Sequence, residues 1–199
     1  MRIVKRGELK VVTLYPGEYY VSRGNVVIST LLGSCVSACL YDPVNRVVGM
    51  NHFLLSNKRY SRHMPMYATE AGRYGINAME LVINGMVKLD AKRENFHAKA
   101  FGGSSLLQSL GRPGNFFCVG EVNRRFILEF LNNEGIPLVS SDLGGHRGRV
   151  IRFSSNDFSV LMRRTVESAT PKLAKDEKRF WLKSIKEQEK KIEEPDLWI

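Results

Sequence analysis

Thiols and imidazoles are the side chains in this sequence best suited to covalent chemistry near neutral pH, and one pair is set apart by its surroundings. Ser29-Thr30-Leu31-Leu32-Gly33-Ser34-Cys35 carries a cysteine behind a Gly-Ser turn and several hydroxyls, and Gly49-Met50-Asn51-His52-Phe53 carries a histidine a short way on. A thiol attacks as the thiolate, so it needs a base or an electropositive setting. Imidazole supplies that base near pH 7, and a further polar group normally orients it. Cys35 and His52 therefore read as nucleophile and base. The plain alternative is that a cysteine beside a glycine is a small buried hydrophobe.

The elements around the pair must bring it together. Val36-Ser37-Ala38-Cys39-Leu40-Tyr41 and Arg46-Val47-Val48-Gly49-Met50-Asn51-His52-Phe53 suit strands, and Asp42-Pro43-Val44-Asn45 between them suits a turn. With Pro43-Val44 at the tip, Asp42 faces Asn45 and, counting back, Cys35 faces His52. Direct cross-strand neighbours have Cβ atoms about 5 Å apart, close enough for a thiol–imidazole contact.

The flanking sequence alternates between the two periods. Lys10–Leu14, Tyr19–Ser22 and Val26–Thr30 read as strands, broken at Pro16-Gly17 and Gly24-Asn25. Residues 56–69 are polar and read as a loop. From Glu70 to about Leu89 the positions Ala71, Tyr74, Ala78, Leu81, Val82 and Val87 give a helical stripe, interrupted by Gly75 and Gly85. Phe96–Phe101 is a strand, and Gly102-Gly103 after it permits close backbone approach and can present N–H groups to an anion or carbonyl. Phe116–Val119 reads as a short buried strand, and a second helix opens at Gly120 with Val122, Phe126, Ile127, Phe130 and Leu131 on one face. Gly135 and Pro137 end it. Ile136–Ser140 is a strand, residues 142–149 a turn, and Val150–Phe153 with Phe158–Met162 a closing hairpin.

Strands and helices in this order imply an α+β (mixed α/β) layered fold. After Pro171 the sequence is dense in Lys and Glu, with Leu173, Phe180, Trp181, Ile185 and Ile192 near helical spacing. The division expected is a domain over residues 1–167 and an amphipathic helical extension over 168–199, packed on that domain or on a partner, its own domain being the commoner outcome.

The whole chain narrows the function classes. Its 199 residues can bury one substantial core. No apolar run approaches a membrane span, and the N-terminus has no signal-peptide pattern, so a cytoplasmic protein is expected. Three cysteines at irregular spacing are no disulfide framework, and Cys35, Cys39 and Cys118 with scattered histidines lack metal-site spacing. No cofactor or metal is expected. The net charge of +10 permits anionic partners, yet the basic residues are dispersed and no nucleic-acid motif accompanies them, so nucleic acid is not expected as a partner. Cys39 and Cys118 lie in apolar runs and read as core thiols; His63, His97 and His146 have no paired partner.

Beyond single residues, a series of motifs resembles one family. Leu32-Gly33-Ser34-Cys35-Val36, Cys39-Leu40-Tyr41-Asp42-Pro43 and Gly49-Met50-Asn51-His52-Phe53 are similar to the signature of CheD, the chemoreceptor glutamine deamidase. Pro16-Gly17-Glu18-Tyr19, Phe101-Gly102-Gly103, Gly120-Glu121-Val122-Asn123, Glu134-Gly135-Ile136-Pro137 and Asp142-Leu143-Gly144-Gly145 follow in family order. The resemblance covers about residues 10–165, and the tail from about 168 lies outside it.

The resemblance implies hydrolysis of specific glutamine side chains on methyl-accepting chemotaxis receptors to glutamate, with release of ammonia through a thioester. It implies a fold like that of toxin-type cysteine deamidases, with mixed β-sheets sandwiched between helices. It implies a catalytic Cys35 and His52 with a threonine six residues before the cysteine, where this chain departs by carrying serine. That position is Ser29, with Thr30 next to it, and either hydroxyl can serve. Backbone N–H groups about Gly33, Ser34 and Cys35 are candidates to bind an oxyanion, and Gly102 and Gly103 to line the site. Receptors are the implied substrate, a CheC-type phosphatase the implied second partner, and recruitment to receptor cytoplasmic domains follows. The competing readings are a chemotaxis adaptor that binds receptors or CheC without deamidating, and another cysteine hydrolase or acyl transferase using the same dyad.

Overall fold

Val26, Ile28, Thr30 and Leu32 are buried while the residues between them are more open, the period-two pattern of a strand with one face on a core. The computed structural model describes residues 1–55, 69–106 and 119–193. In it this strand, β4 (Val26–Leu32), lies in a five-stranded mixed sheet. The other members are β1 (Arg2–Arg6), β2 (Leu9–Thr13), β9 (Arg149–Ser154) and β10 (Val160–Arg164), in the order β1-β2-β4-β9-β10. A second mixed sheet contains β3 (Tyr19–Ser22), β5 (Val36–Asp42), β6 (Val47–Asn51), β7 (His97–Gly102) and β8 (Leu138–Leu143), in the order β3-β6-β5-β7-β8. The β2–β4 and β7–β8 pairs are parallel, the rest antiparallel. The expected mixed α/β layering is the architecture found.

Strand β6 is buried at every position and β5 at all but one, because the second sheet is covered on both sides. One face meets the first sheet through Val12, Leu14, Ile28, Leu32, Cys35, Cys39, Val48, Met50, Phe101, Ile151 and Phe153. The other meets two helices, α1 (Glu70–Val87) and α2 (Val119–Asn133), through Val36, Ala38, Leu40, Met79, Val82, Met86, Val122, Phe126 and neighbours. Thr69 caps α1, its hydroxyl accepting from the Gly72 N–H at 3.0 Å. A third helix, α3 (Thr170–Glu193), follows β10.

Several sequence expectations are corrected. The α1 stripe that is buried is Ala71, Met79, Val82, Ile83 and Met86, whereas Tyr74, Leu81 and Val87 are exposed. Close approach selects that stripe: a Cβ on Gly49 of β6 would strike Val82 and Met86, and one on Gly75 would strike the Phe126 ring. Gly75, which weakened the helical pattern, is thus a contact point between α1 and α2. Val119 opens α2 instead of closing a strand, and the rest of Phe116–Val119 lies outside the described residues, as do Cys118, His63 and the loop at 56–68. The turn expected at 142–149 is shorter, since β8 runs through Leu143 and β9 starts at Arg149.

The hairpin register also differs. Asp42 pairs with Val47, leaving Pro43–Arg46 as the loop, and Cys39 pairs with Met50. Asp42 sets this longer loop: its carboxylate accepts from the N–H groups of Val44 and Asn45, each at 2.9 Å, and Arg46 takes a left-handed φ of 55°. Cys35 and His52 are therefore not directly opposed. The slip is by two positions, which preserves the face.

Candidate active site

Cys35 enters β5 from the Gly33-Ser34 turn, and both Cys35 and His52 are buried between the sheets. The bridge between Val36 and Phe53 and the pair Cys39–Met50 bracket His52 opposite Ser37, one pleat along from Cys35 on the same face. A diagonal pair of that kind stays within reach of an imidazole. The backbone of His52 is clamped by the Pro16-Gly17-Glu18 turn: its N–H donates to the Glu18 carbonyl at 2.9 Å and its carbonyl accepts from Gly17 at 2.7 Å.

The imidazole is oriented from the opposite sheet. Thr30 Oγ1 lies 2.7 Å from His52 Nδ1 and donates to the Leu14 carbonyl at 2.8 Å. A hydroxyl has one proton, and here it is spent on Leu14, so Nδ1 must carry the proton shared with Thr30. Nε2 is left with its lone pair, and it has no hydrogen-bond partner among the described residues. A buried, unpaired imidazole nitrogen is costly unless the site uses it. Ser29 plays no part in this contact. Its hydroxyl meets Thr13 Oγ1 and the Val12 carbonyl on the other face of β4, because adjacent strand residues point opposite ways.

The turn before Cys35 holds an anion. The N–H groups of Gly33 and Ser34 donate to the Glu177 carboxylate at 2.9 and 2.8 Å, that of Cys35 at 3.4 Å, and the Ser34 hydroxyl at 2.6 Å. Four donors converging on one carboxylate are the groups an oxyanion hole requires. Glu177 belongs to α3 and is 3% exposed.

Other parts brace the turn. Gly103 donates to the Cys35 carbonyl at 2.7 Å and Ser104 to the Gly33 carbonyl at 2.7 Å. Gly102 has φ 115°, and a Cβ there would collide with the Cys35 carbonyl. Gly102-Gly103 thus supports the nucleophile from behind, and the Gly103 N–H is committed to that carbonyl. Below it the buried Arg149 guanidinium holds Asp142, the Gly144 carbonyl and the Ser104 hydroxyl. Asn123, buried in α2, donates from Nδ2 to the Ser34 carbonyl at 2.8 Å and accepts from the Leu55 N–H at 2.8 Å. It ties the cysteine turn to the segment after His52.

Burial controls the charges. Burial pushes the Cys35 thiol well above its ordinary pKa, and the facing Glu177 carboxylate adds to the shift. Burial pulls His52 down to about 4, against smaller opposing effects of the Leu14 carbonyl and Glu18. At neutral pH the resting pair is therefore a neutral thiol and a neutral imidazole.

The family model and the sequence relatives name one group. The family model described as "CheD chemotactic sensory transduction" matches residues 54–164, more than half of the chain. The chain belongs to the CheD family. That match starts just after His52, and the longer pairwise similarities extend it. A Geobacter sulfurreducens protein named "Probable chemoreceptor glutamine deamidase CheD 1" is 53% identical over 189 residues, 95% of this chain and 94% of that protein. A Shewanella oneidensis "Probable chemoreceptor glutamine deamidase CheD 2" is 48% identical over 152 residues, covering 75% and 74% of the two chains. A Rhizobium etli "Probable chemoreceptor glutamine deamidase CheD" is 44% identical over 152 residues, covering 76% and 78%. Among solved structures, a Bacillus licheniformis hypothetical protein YfiH matches 62% of this chain and 49% of its own at TM-score 0.33 and 15% identity, a slight likeness.

The tail expected to lie outside the family resemblance is corrected in part. A similarity over 95% of the chain takes in most of α3, so the Geobacter CheD relative extends as far. Sequence reasoning missed Glu177 and Asn123. Each had a signal: Asn123 sits in the motif Gly120-Glu121-Val122-Asn123 beside the buried face of α2, and Glu177 is an acid on the stripe that includes Leu173, Ala174 and Trp181.

Proposed function

We propose that this CheD-family chain hydrolyses glutamine side chains of chemotaxis receptors to glutamate, with Cys35 as nucleophile, His52 as acid and base, and Thr30 as the residue that orients His52. The observation that carries the mechanism is the Leu14–Thr30–His52 relay, which leaves Nε2 as the free base on the face shared with Cys35. The names of the relatives support the reaction class and the receptor substrate.

In the first half-reaction the Cys35 thiol gives its proton to His52 Nε2 as Sγ adds to the carboxamide carbon. The tetrahedral oxygen takes the cradle of Gly33, Ser34 and Cys35 N–H groups, which stabilise the charge as it develops. Imidazolium returns the proton to the amide nitrogen, ammonia leaves, and a thioester remains. Water, deprotonated by neutral His52, then displaces the thiol and yields the glutamate side chain. The depressed pKa of His52 suits this cycle, because the imidazole starts neutral and gives up its proton readily.

Receptor helices, incubated with the wild type and analysed by mass spectrometry, are expected to gain the mass difference between amide and acid at particular glutamines. Cys35→Ala is expected to leave them unchanged, and full conversion by Cys35→Ala would remove the mechanism. A CheC-type phosphatase is the second proposed partner on the family resemblance alone, and its capture by Cys35→Ala protein tests binding separately from catalysis.

A further inference from the structure

The proposed nucleophile cannot be reached by a receptor as it stands. Cys35 is fully buried, His52 is 2% exposed, and the donors of the cradle are all engaged by Glu177. The cover is α3. Its Thr170, Ala174, Glu177 and Trp181 are buried, a stripe at helical spacing. Trp181 packs with Val119 and Leu54.

Beneath this stripe the chain presents glycine three times. A Cβ on Gly148 would meet Leu173, one on Gly33 would meet the Glu177 carboxylate, and one on Gly17 would lie 3.3 Å from the Phe180 ring. These glycines come from three separate turns: the one before β9, the one before Cys35, and the one that clamps His52. Together these close approaches seat α3 over the turns that carry Cys35 and clamp His52, a groove as wide as one helix.

We propose that α3 is a substrate mimic held in cis: it occupies the groove that takes a glutamine-bearing receptor helix, and Glu177 sits where the reacting carboxamide goes. This rests on the deamidase reading above and adds its regulation. A glutamate side chain is the product of that reaction, and the Glu177 carboxylate fills the oxyanion cradle as a product would. Its charge adds to the burial that holds the Cys35 thiol protonated, so the docked state is both covered and unreactive. A receptor helix must displace α3 to enter, and both helices compete for one groove.

The decisive test makes the mimic into a substrate. Glu177→Gln keeps the size of the side chain and one oxygen, which can accept from the Gly33 and Cys35 N–H groups as Oε1 does now. In that variant Cys35 Sγ forms a bond to the side-chain carbon at position 177, and the C–N bond breaks with ammonia leaving on the proton carried by His52. Water then forms the C–O bond, the C–S bond breaks, and the thiol recovers its proton. One water is consumed and one ammonia released. Peptide mass spectrometry of purified Glu177→Gln protein is expected to find the acid at position 177, and Glu177→Gln combined with Cys35→Ala is expected to retain the amide.

An amide that persists at 177 while the same preparation deamidates receptor helices overturns the mimic and leaves the deamidase standing. An acid that also forms in the Cys35→Ala background overturns the mimic too. Conversion of neither position 177 nor any receptor glutamine overturns the deamidase reading, and the mimic with it. A second arm follows gating. Trp181→Ala, which loosens α3, is expected to raise the rate of Cys35 alkylation by iodoacetamide and of receptor deamidation by about tenfold. Rates equal to wild type overturn the claim that α3 controls access.

Discussion

Cys35 and Cys39 lie on the same face of one strand, in the same core between the sheets, and are both fully buried. Their surroundings differ. Cys39 is mid-strand, paired with Met50 on one side and Lys99 on the other, so the neighbouring strands use its backbone groups. Burial lifts its thiol to about 12, against smaller opposing effects of Ser37 and Lys99. Cys35 stands where the strand begins, and there the N–H groups of Gly33, Ser34 and Cys35 turn away from the sheet toward a single anion. Thr30 and His52 reach the same end of the sandwich. A sheet consumes its own donors along its length and releases them at its ends, so a site needing both a thiol and free N–H groups belongs at a strand terminus.

The first way to break this comparison is to remove the two reacting groups. Cys35→Ala and His52→Ala are each expected to cut receptor-glutamine conversion by about 10⁴-fold or more, measured by mass spectrometry of receptor helices. Next is the orienting hydroxyl. Thr30→Val keeps the shape of the side chain but strands His52 Nδ1 and the Leu14 carbonyl, and is expected to lower kcat by roughly 10- to 100-fold. Thr30→Ser should recover most of that loss, which a purely packing role for Thr30 would not predict.

Stability toward acid comes third. Folded His52 titrates near 4, below the ordinary 6.5, so its contribution is present above pH 6.5 and is lost as pH falls through about 4. The unfolded chain takes up the proton first, and the loss is on the order of 3 kcal/mol. Urea unfolding of wild type and His52→Gln across this range is expected to show a limb in the former that is missing in the latter.

The comparison sharpens most at its smallest effects. Cys39→Ala is expected to lose about 1 kcal/mol of stability in denaturant melts while specific activity stays within about twofold. Ser29→Ala, on the far face of β4, should likewise hold activity within about twofold. A large loss of activity in Cys39→Ala would erase the distinction between mid-strand and terminus.

How much of this was legible in the sequence depends on the range of the interaction. Helix α2 was readable to its buried face, since Val122, Phe126, Ile127, Phe130 and Leu131 repeat at helical spacing and all are buried. The face of α1 was misread because Tyr74, Leu81 and Val87 are apolar yet exposed, and Gly49 on another strand decides which stripe can approach. The hairpin is legible in the sequence, but its tip lies at Val44-Asn45, one residue beyond the expected Pro43-Val44, and its loop is two residues longer, since a left-handed Arg46 leaves no mark in composition. The two-residue slip still kept Cys35 and His52 on one face, which is why the pairing was found from an inexact register.

What the sequence determined by itself was the local and the periodic: the strands and helices, the mixed layering, the thiol behind its Gly-Ser turn, and the motif series of the CheD family. Only the tertiary structure put Thr30, and not Ser29, against His52, since that contact depends on which face of β4 meets the other sheet. Only it brought Glu177 onto the Gly33–Cys35 turn across more than a hundred residues of chain. Side-chain type and spacing are written in the chain, but which distant donor and acceptor meet is set by how two sheets and a helix pack, and packing is a property of the whole fold.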